Sequence, residues 1–283
     1  MVAFSVFGRD IYRYGIMYLI SFVIGYGLLY MIGRTNFFSD KQPNIHTALT
    51  KDLDTIIILV IIGVMLGGRL WYVIIYERQY FAQNLEQILA IRTWWMSFIG
   101  WMIGVFLTIG LRWLYKRWNR NDALSLFDSI LSIAPIGIVF GRIGNFLNQE
   151  IYGIVIPENV RWFSSTIIKR ATDLQLFYIY ETVDKQLRVN TNFLSAFFEW
   201  LVILIICGSM MIVSIRRNRW QPGKISAMFM IWYSVVRFFL EYLRVDSQSE
   251  FIGIFTRSQY FFIFFMMIGL YLLRAYPHQS KQG

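Results

Sequence analysis

Seven runs of mostly apolar residues alternate with shorter polar segments along the 283-residue chain. They cover Tyr14 to Gly33, Thr55 to Tyr76, Trp95 to Tyr115, Phe127 to Leu147, Phe193 to Ser214, Ile225 to Leu243 and Gln259 to Tyr276. Each is close to the ~20 residues that a helix needs to cross a bilayer. The pattern predicts an all-α polytopic membrane protein of about seven transmembrane helices, with 1–283 as a single integral membrane domain. The first run follows Arg9 and Arg13 and is too long for a signal-peptide core, so it is read as a retained span. Residues 148–192 form the one long segment between runs, with Pro157, several charges and short apolar pieces such as Leu176-Phe177-Tyr178. A segment this long is functional or disordered, and its aromatic content argues for an ordered cap.

A hydrophobic content of 57% and an aromatic content of 18% agree with a membrane class. The formal net charge of +10 would suit a nucleic-acid binder, but the basic residues sit between the apolar runs and not on one polar face. Arg34, Lys41, Lys51, Lys116, Arg117, Arg120, Arg216, Arg217, Arg219, Lys224 and Lys281 gather on one side; Arg9, Arg13, Arg78, Arg92, Arg244 and Arg257 occupy the short loops of the other. The positive-inside rule then places the N-terminus outside, the C-terminus in the cytoplasm and the 148–192 cap outside. Nucleic acid is excluded as a partner and the lipid bilayer replaces it. Cys207 lies alone in an apolar run and is read as a packing residue, while His46 and His278 are read as surface groups. No metal site or cofactor is called for.

The polar residues inside the runs carry the chemistry. Gly141 to Gly153 reads GRIGNFLNQEIYG, and an arginine at membrane depth costs at least ~2.5 kcal/mol unless it faces protein or water. If the helix continues through this stretch, steps of about 100° bring Asn148, Asn145, Gln149 and Arg142 within about a third of its circumference, with Glu150 a little further round. Gly153 is placed to stop such a helix. Helix-to-helix glue is the plain reading of such groups; Arg, two Asn, Gln and Glu within nine residues exceed what glue requires and point to a substrate site. In the sixth run Arg237, Glu241 and Arg244 share one helix face, either as a self-satisfied ladder or as a positive surplus suited to a phosphodiester. Glu199 adds a carboxylate at the start of the fifth run. Arg69, after Gly67-Gly68, either snorkels outward or enters the same interior. Tyr14 and Tyr18 share a face that is an aromatic belt or the edge of a headgroup site.

GRIGNFLNQEIYG resembles the signature of the bacterial prolipoprotein diacylglyceryl transferases, supported in the family's order by Tyr14-Gly15-Ile16-Met17-Tyr18, Leu66-Gly67-Gly68-Arg69, Met96-Ser97-Phe98, Arg237 with Glu241 and Arg244, and Gln259. The resemblance implies a seven-span enzyme of the bacterial cytoplasmic (inner) membrane. Its activity would be transfer of the diacylglyceryl group of phosphatidylglycerol to the lipobox cysteine in a prolipoprotein signal peptide. On that footing Arg142 and Arg237 hold the phosphate, Asn145 and Tyr14 orient the lipid head, Glu150 and Glu241 position the cations or relay a proton, and Arg69, Asn148, Gly153 and Arg244 complete the binding site. The family's Ser-Phe-His-Gly-Gly reads Ser97-Phe98-Ile99-Gly100-Trp101 here, and its later His-Pro-Ser-Gln motif is replaced around Val189 to Ser195, with Glu199 as its remnant. Ile99 keeps open the alternative of a catalytically impaired paralogue that binds phospholipid headgroups as an accessory protein.

Overall fold

The computed structural model describes residues 2–6, 9–88, 97–157, 165–245 and 251–275, apart from the side chains of 2–14, 76, 98, 165 and 166. Lys281, His278, Arg92, Tyr276 and the Trp94-Trp95-Met96 stretch fall outside the described residues, as does the side chain of Tyr14. A hairpin of β1 (Val2–Val6) and β2 (Arg9–Tyr12) leads into α1 (Arg13–Gly33), followed by the short α2 (Asn36–Lys41) and α3 (Pro43–Thr50). Next come α4 (Leu53–Trp71), extended by a π-helical turn to Tyr76, then α5 (Arg78–Gln83), α6 (Phe98–Lys116) and α7 (Arg120–Leu147). The 148–192 segment holds α8 (Ser165–Asp173) and the hairpin of β3 (Phe177–Ile179) and β4 (Leu187–Val189). A single long helix follows, made of α9 (Thr191–Leu194), a π-helical stretch Ser195–Leu201 and α10 (Val202–Arg216). Then α11 (Lys224–Leu240) ends in a 3-10 turn, and a hairpin of β5 (Phe251–Ile252) and β6 (Phe255–Thr256) precedes α12 (Arg257–Ala275).

The protein is thus a mostly helical, multi-pass membrane protein. Among the described residues six helices are long and apolar enough to cross a bilayer: Gly15–Gly33, Leu53–Ile75, Arg120–Leu147, Thr191–Arg216, Lys224–Leu243 and Arg257–Ala275. The seventh expected span corresponds to α6, whose N-terminal approach at 89–96 is not described. The fourth helix starts seven residues before the expected Phe127, because polar Arg120, Asn121 and Asp122 still favour a helix start while lying outside the apolar run. The short hairpins were not anticipated: strands of two to five residues leave too little alternation to register against long apolar runs.

The chain forms two compact units, Leu29–Phe127 and the remainder, Met1–Leu28 with Asp128–Gly283. In the 29–127 unit α4 and α6 meet along glycines spaced four apart on each helix, Gly63 and Gly67 against Gly100 and Gly104. A Cβ on Gly104 would run into the Gly63 carbonyl, and one on Gly67 into the Gly100 carbonyl. In hydrocarbon, where apolar burial gives helices no reason to associate, backbone contact of this kind supplies the dispersion energy. The Ser97 amide donates to the Gly68 carbonyl at 3.0 Å and extends the seam to the start of α6, where Ile99 is buried. His46, expected at the surface, is half-buried and its Nδ1 lies 2.8 Å from the Gly33 carbonyl, closing α3 onto the end of α1.

In the other unit, buried Asp128 of α7 accepts hydrogen bonds from the Gly223 amide (2.8 Å), the Ser226 amide (2.8 Å) and the Ser226 hydroxyl (2.6 Å). One helix thereby supplies the cap that the N-terminus of α11 lacks in its own sequence, where Gly223 occupies the capping position. Cys207 is buried beside that junction with its sulfur 3.9 Å from the Ile225 carbonyl, a packing residue as expected. Gln259 performs the same service for α12, accepting from the Thr256 amide at 2.9 Å and donating to the Phe238 carbonyl at 3.1 Å.

Two glycines of α6 test the seam with one substitution each. Gly104→Ala should lower thermal stability in detergent by about 1–3 kcal/mol through overpacking. Gly110, where an added Cβ meets nothing within 4 Å, should tolerate alanine or gain up to about 1 kcal/mol. Equal effects at both positions would refute glycine-mediated contact between α4 and α6.

Candidate functional site

The long helix entering at Thr191 passes through a π-helical stretch at Ser195–Leu201, and the wider turn carries Glu199 into the interior, where it is fully buried. Its two carboxylate oxygens face different helices. Oε1 lies 3.4 Å from Arg237 of α11, and Oε2 lies 3.6 Å from Arg142 of α7. Arg237 reaches on to Glu241 at 3.1 Å, and Glu241 lies 3.7 Å from Arg244. The result is a chain of alternating charge, Arg142, Glu199, Arg237, Glu241 and Arg244, with its three middle members buried and its two ends half-buried.

Below it lies an aromatic floor. Trp200 and Tyr233 approach to 5.1 Å, Tyr233 meets Phe262 edge-on at 5.6 Å, and the Arg237 guanidinium sits 5.8 Å from the Phe262 ring. Such rings exclude water without competing for the arginines' donors. Within the array Nε of Arg142 and Oε2 of Glu199 make no hydrogen bond among the described residues. One donor and one acceptor in a nearly dry site are therefore open to a ligand.

The wall of the site departs from the expected continuous helix. α7 runs to Leu147 with Arg142 and Asn145 one turn apart, the Asn148 amide still closes the last turn onto the Gly144 carbonyl at 3.0 Å, and the chain leaves the helix at Gln149. Gln149 and Ile151 adopt left-handed backbone conformations (φ 56° and 53°), a strained choice for a β-branched residue. Side chains from the next helix hold the reversal: Asn192 donates to the Glu150 carbonyl and Thr191 to the Ile151 carbonyl, both at 2.6 Å. Gln149 is turned away, its Oε1 accepting from the amide and hydroxyl of Thr182 at 2.9 and 2.7 Å. Glu150 is exposed, Asn145 is half-buried and Asn148 is buried. Tyr18 of α1 lies within electrostatic reach of both Arg142 and Glu150.

Gly153 does not stop a helix. It sits in an extended strap between two other segments, its amide bonded to the Val189 carbonyl at 3.1 Å and its bridge partner Arg244. The adjacent Ile154 amide donates to the Leu243 carbonyl at 3.0 Å. A Cβ there would meet the carbonyls of Val189 and Leu243, so only glycine lets the strap lie this close. The Arg188 guanidinium donates to the Gly153 carbonyl at 2.8 Å, pairs with Asp184 and covers the Tyr152 ring at 4.7 Å. Tyr152, Tyr178 and Tyr180 pack together with Phe146, which is the order that the aromatic content of this segment predicts. Burial pushes the Tyr180 hydroxyl up to about 12, so it stays protonated and can donate to Asn190.

Of the residues singled out in the sequence, Arg142, Arg237, Glu241 and Arg244 fall in the array; Asn145 lies one turn from Arg142 on α7, Asn148 and Glu150 follow it in the chain, and Gly153 bridges to Arg244. Arg69 belongs to the 29–127 unit, where it is buried and donates to the carbonyls of Ile88 (2.9 Å) and Gln87 (2.7 Å) beneath the Phe81 ring. Tyr14 is placed on α1 without a described side chain. Glu199, the residue that joins two of the arginines, stood in the sequence only as a carboxylate at the start of a span; its isolation in that apolar run was the signal.

A family model described as prolipoprotein diacylglyceryl transferase matches residues 1–275. Curated relatives named phosphatidylglycerol–prolipoprotein diacylglyceryl transferase align over most of their length. The protein of Ehrlichia canis is 29% identical over 285 residues, covering 99% of this chain and 97% of its own. That of Psychrobacter arcticus is 30% identical, covering 96% and 91%. That of Chlorobaculum tepidum is 31% identical, covering 89% and 80%.

The strap makes the approach to the site sensitive to acid. The hydrogen bond from Arg188 holds the Asp184 carboxyl below the usual carboxylate range. Its contribution is present above the ordinary value of about 3.9 and is lost as pH falls through the lowered one. Pepsin cleavage between 177 and 189 should therefore accelerate as pH drops below about 4. Asp184→Asn should be cleaved at a similar rate across that range; a variant that keeps the acid step would remove Asp184 from this role.

Proposed function

The chain belongs to the prolipoprotein diacylglyceryl transferase family, and we propose from this premise that it transfers the diacylglyceryl group of phosphatidylglycerol to the lipobox cysteine thiol of prolipoproteins. The observation that carries the reading is the buried array in which Arg142 and Arg237 share Glu199. Guanidinium groups bind a phosphodiester through charge-assisted, geometrically matched hydrogen bonds, and they stabilise negative charge as it gathers on a departing phosphate. Such donors act best in a site that is dry and fixed before the substrate arrives.

Arg142 and Arg237 contact the phosphate, with the open Nε of Arg142 as one donor. Asn145 and Tyr14 orient the glycerol head, and Asn148, Gly153 and Arg244 complete the binding site. Glu241 positions Arg237 and Arg244, and exposed Glu150, near Tyr18 and Arg142, relays the thiol proton. The nucleophile comes from the precursor, so the protein needs no reactive cysteine, and buried Cys207 takes no part. A free thiol has a pKa near 8.5, and a positive environment lowers it. Residues 148–192 form an extracytoplasmic cap, the N-terminus faces outward, and the protein resides in the bacterial cytoplasmic membrane. The accessory-protein alternative gains nothing from the three relatives compared, each of which carries the transferase name.

Incubation of the purified protein with phosphatidylglycerol and a lipobox peptide should add the diacylglyceryl mass to the peptide. Arg142→Ala should reduce the rate by about 10²- to 10³-fold, the usual effect of removing one preorganised donor, with thermal unfolding little changed. A peptide that never gains mass, or an Arg142→Ala rate equal to that of the unmodified protein, would overturn the assignment. Ile99→His should accelerate transfer if the absent imidazole limits the rate; an unchanged rate would show that proton removal is not limiting.

A further inference from the structure

Among the described residues the array holds three arginines and two glutamates, a net charge of +1 with all five ionised. Glu150 is exposed and its charge is screened by water, so it does not enter this interior count. A phosphodiester carries one negative charge, so the array neutralises a bound diester donor without surplus. Its leaving group differs. In the transfer proposed above, on which this inference rests, the thiol sulfur bonds to the diacylglyceryl carbon. The carbon–oxygen bond to phosphate breaks with its electron pair left on that oxygen, and the thiol proton passes through Glu150 to water. The diester monoanion becomes a phosphomonoester, which is close to a dianion at pH 7 because its second pKa lies near 6.

We propose that Glu199 is a positioning and specificity-determining residue that keeps the array one positive charge short of its product, so that a diester is retained and the glycerol phosphate leaving group is released. Its placement suits this work. It is fully buried, shared between the two guanidiniums that face the phosphate, and carries one oxygen without a hydrogen-bond donor. Full charge matching of the product would trap it, and in many enzymes departure of product sets the turnover rate. A site at +2 would favour the dianion over the monoanion, since the added interaction acts at short range in a poorly screened interior.

The test compares Glu199→Gln with Glu199→Asp in the full-length protein, reading KM for phosphatidylglycerol and the inhibition constant for glycerol phosphate. Glu199→Gln should tighten glycerol phosphate at least about tenfold relative to phosphatidylglycerol, and Glu199→Asp should keep the ratio of the unmodified protein. A folded Glu199→Gln with an unshifted ratio would overturn the proposal, because loss of packing alone moves both constants together. Should that variant fail to fold, Glu241→Gln makes the same change in charge within the same array and should shift the ratio in the same direction; no shift there refutes it. Absence of lipidated peptide from the unmodified protein would retire the transfer reading instead. Calorimetric titration of the same variants with glycerol phosphate still decides the charge inference, since it requires no turnover.

Discussion

The structure turns on one buried carboxylate held between two guanidinium groups. Arg237 is buried and Arg142 half-buried, and two like charges at membrane depth would destabilise any helix packing that brought them together. Glu199 removes that conflict by giving each one oxygen, at 3.6 and 3.4 Å. These distances are longer than good charge-assisted hydrogen bonds. The arginines are thus neutralised by a loose contact, and Nε of Arg142 makes no hydrogen bond among the described residues. A tighter bidentate pair would be more stable and less useful.

Local features of the surrounding chain follow from the need to aim that carboxylate. The π-helical stretch at Ser195–Leu201 rotates Glu199 inward, and Trp200 beside it is buried against Tyr233 and Phe229, which fixes the helix about its axis. Before it, Asn190 caps the helix by accepting from the Phe193 amide at 3.1 Å. Thr191 and Asn192, on the first turn, pin the carbonyls of Ile151 and Glu150. One helix therefore both supplies the central charge and stabilises the left-handed turn that ends α7 beyond Asn145. The strap through Gly153 then ties Arg244, the last member of the array, to β4. Strain at Ile151 is maintained because the contacts around it are numerous and mutually consistent.

The membrane-spanning helices were legible because the bilayer demands long apolar runs, and that demand writes itself into composition directly. Arg142 and the Arg237, Glu241, Arg244 ladder were legible for the converse reason, since charge inside such a run is conspicuous. Glu199 was equally conspicuous but could not be assigned partners, because contacts between helices far apart in sequence leave no periodicity to count. Gln149 was set on a helical wall that ends just before it. Nothing in GRIGNFLNQEIYG announces a reversal after Leu147, and it is Asn192, more than forty residues later, that stabilises one. The fate of Arg69 was open in the sequence and is decided by two backbone carbonyls, acceptors that no side-chain pattern records. The glycine seam of α4 and α6 was hidden in plain view: Gly63, Gly67, Gly100 and Gly104 are evenly spaced, but spacing alone does not reveal which helix each pair faces.

The isoleucine at 99 is the sharpest departure from the family's pattern, and the physics of the reaction limits how much it matters. A positioned general base is worth about 10²- to 10⁴-fold, and stabilisation of the departing charge is usually the larger contribution. The groups proposed for the larger contribution are all present, with Glu199, Arg237 and Glu241 buried and Arg142 and Arg244 half-buried. Those same cations lower the pKa of a thiol brought near them, so that part of what a base would do is accomplished before any proton acceptor is involved. Buried Ile99 beside the glycine seam is well suited to packing α6, where an imidazole would demand hydrogen-bond partners in an apolar setting. An isoleucine at 99 is therefore compatible with transfer, provided the charge array supplies most of the acceleration.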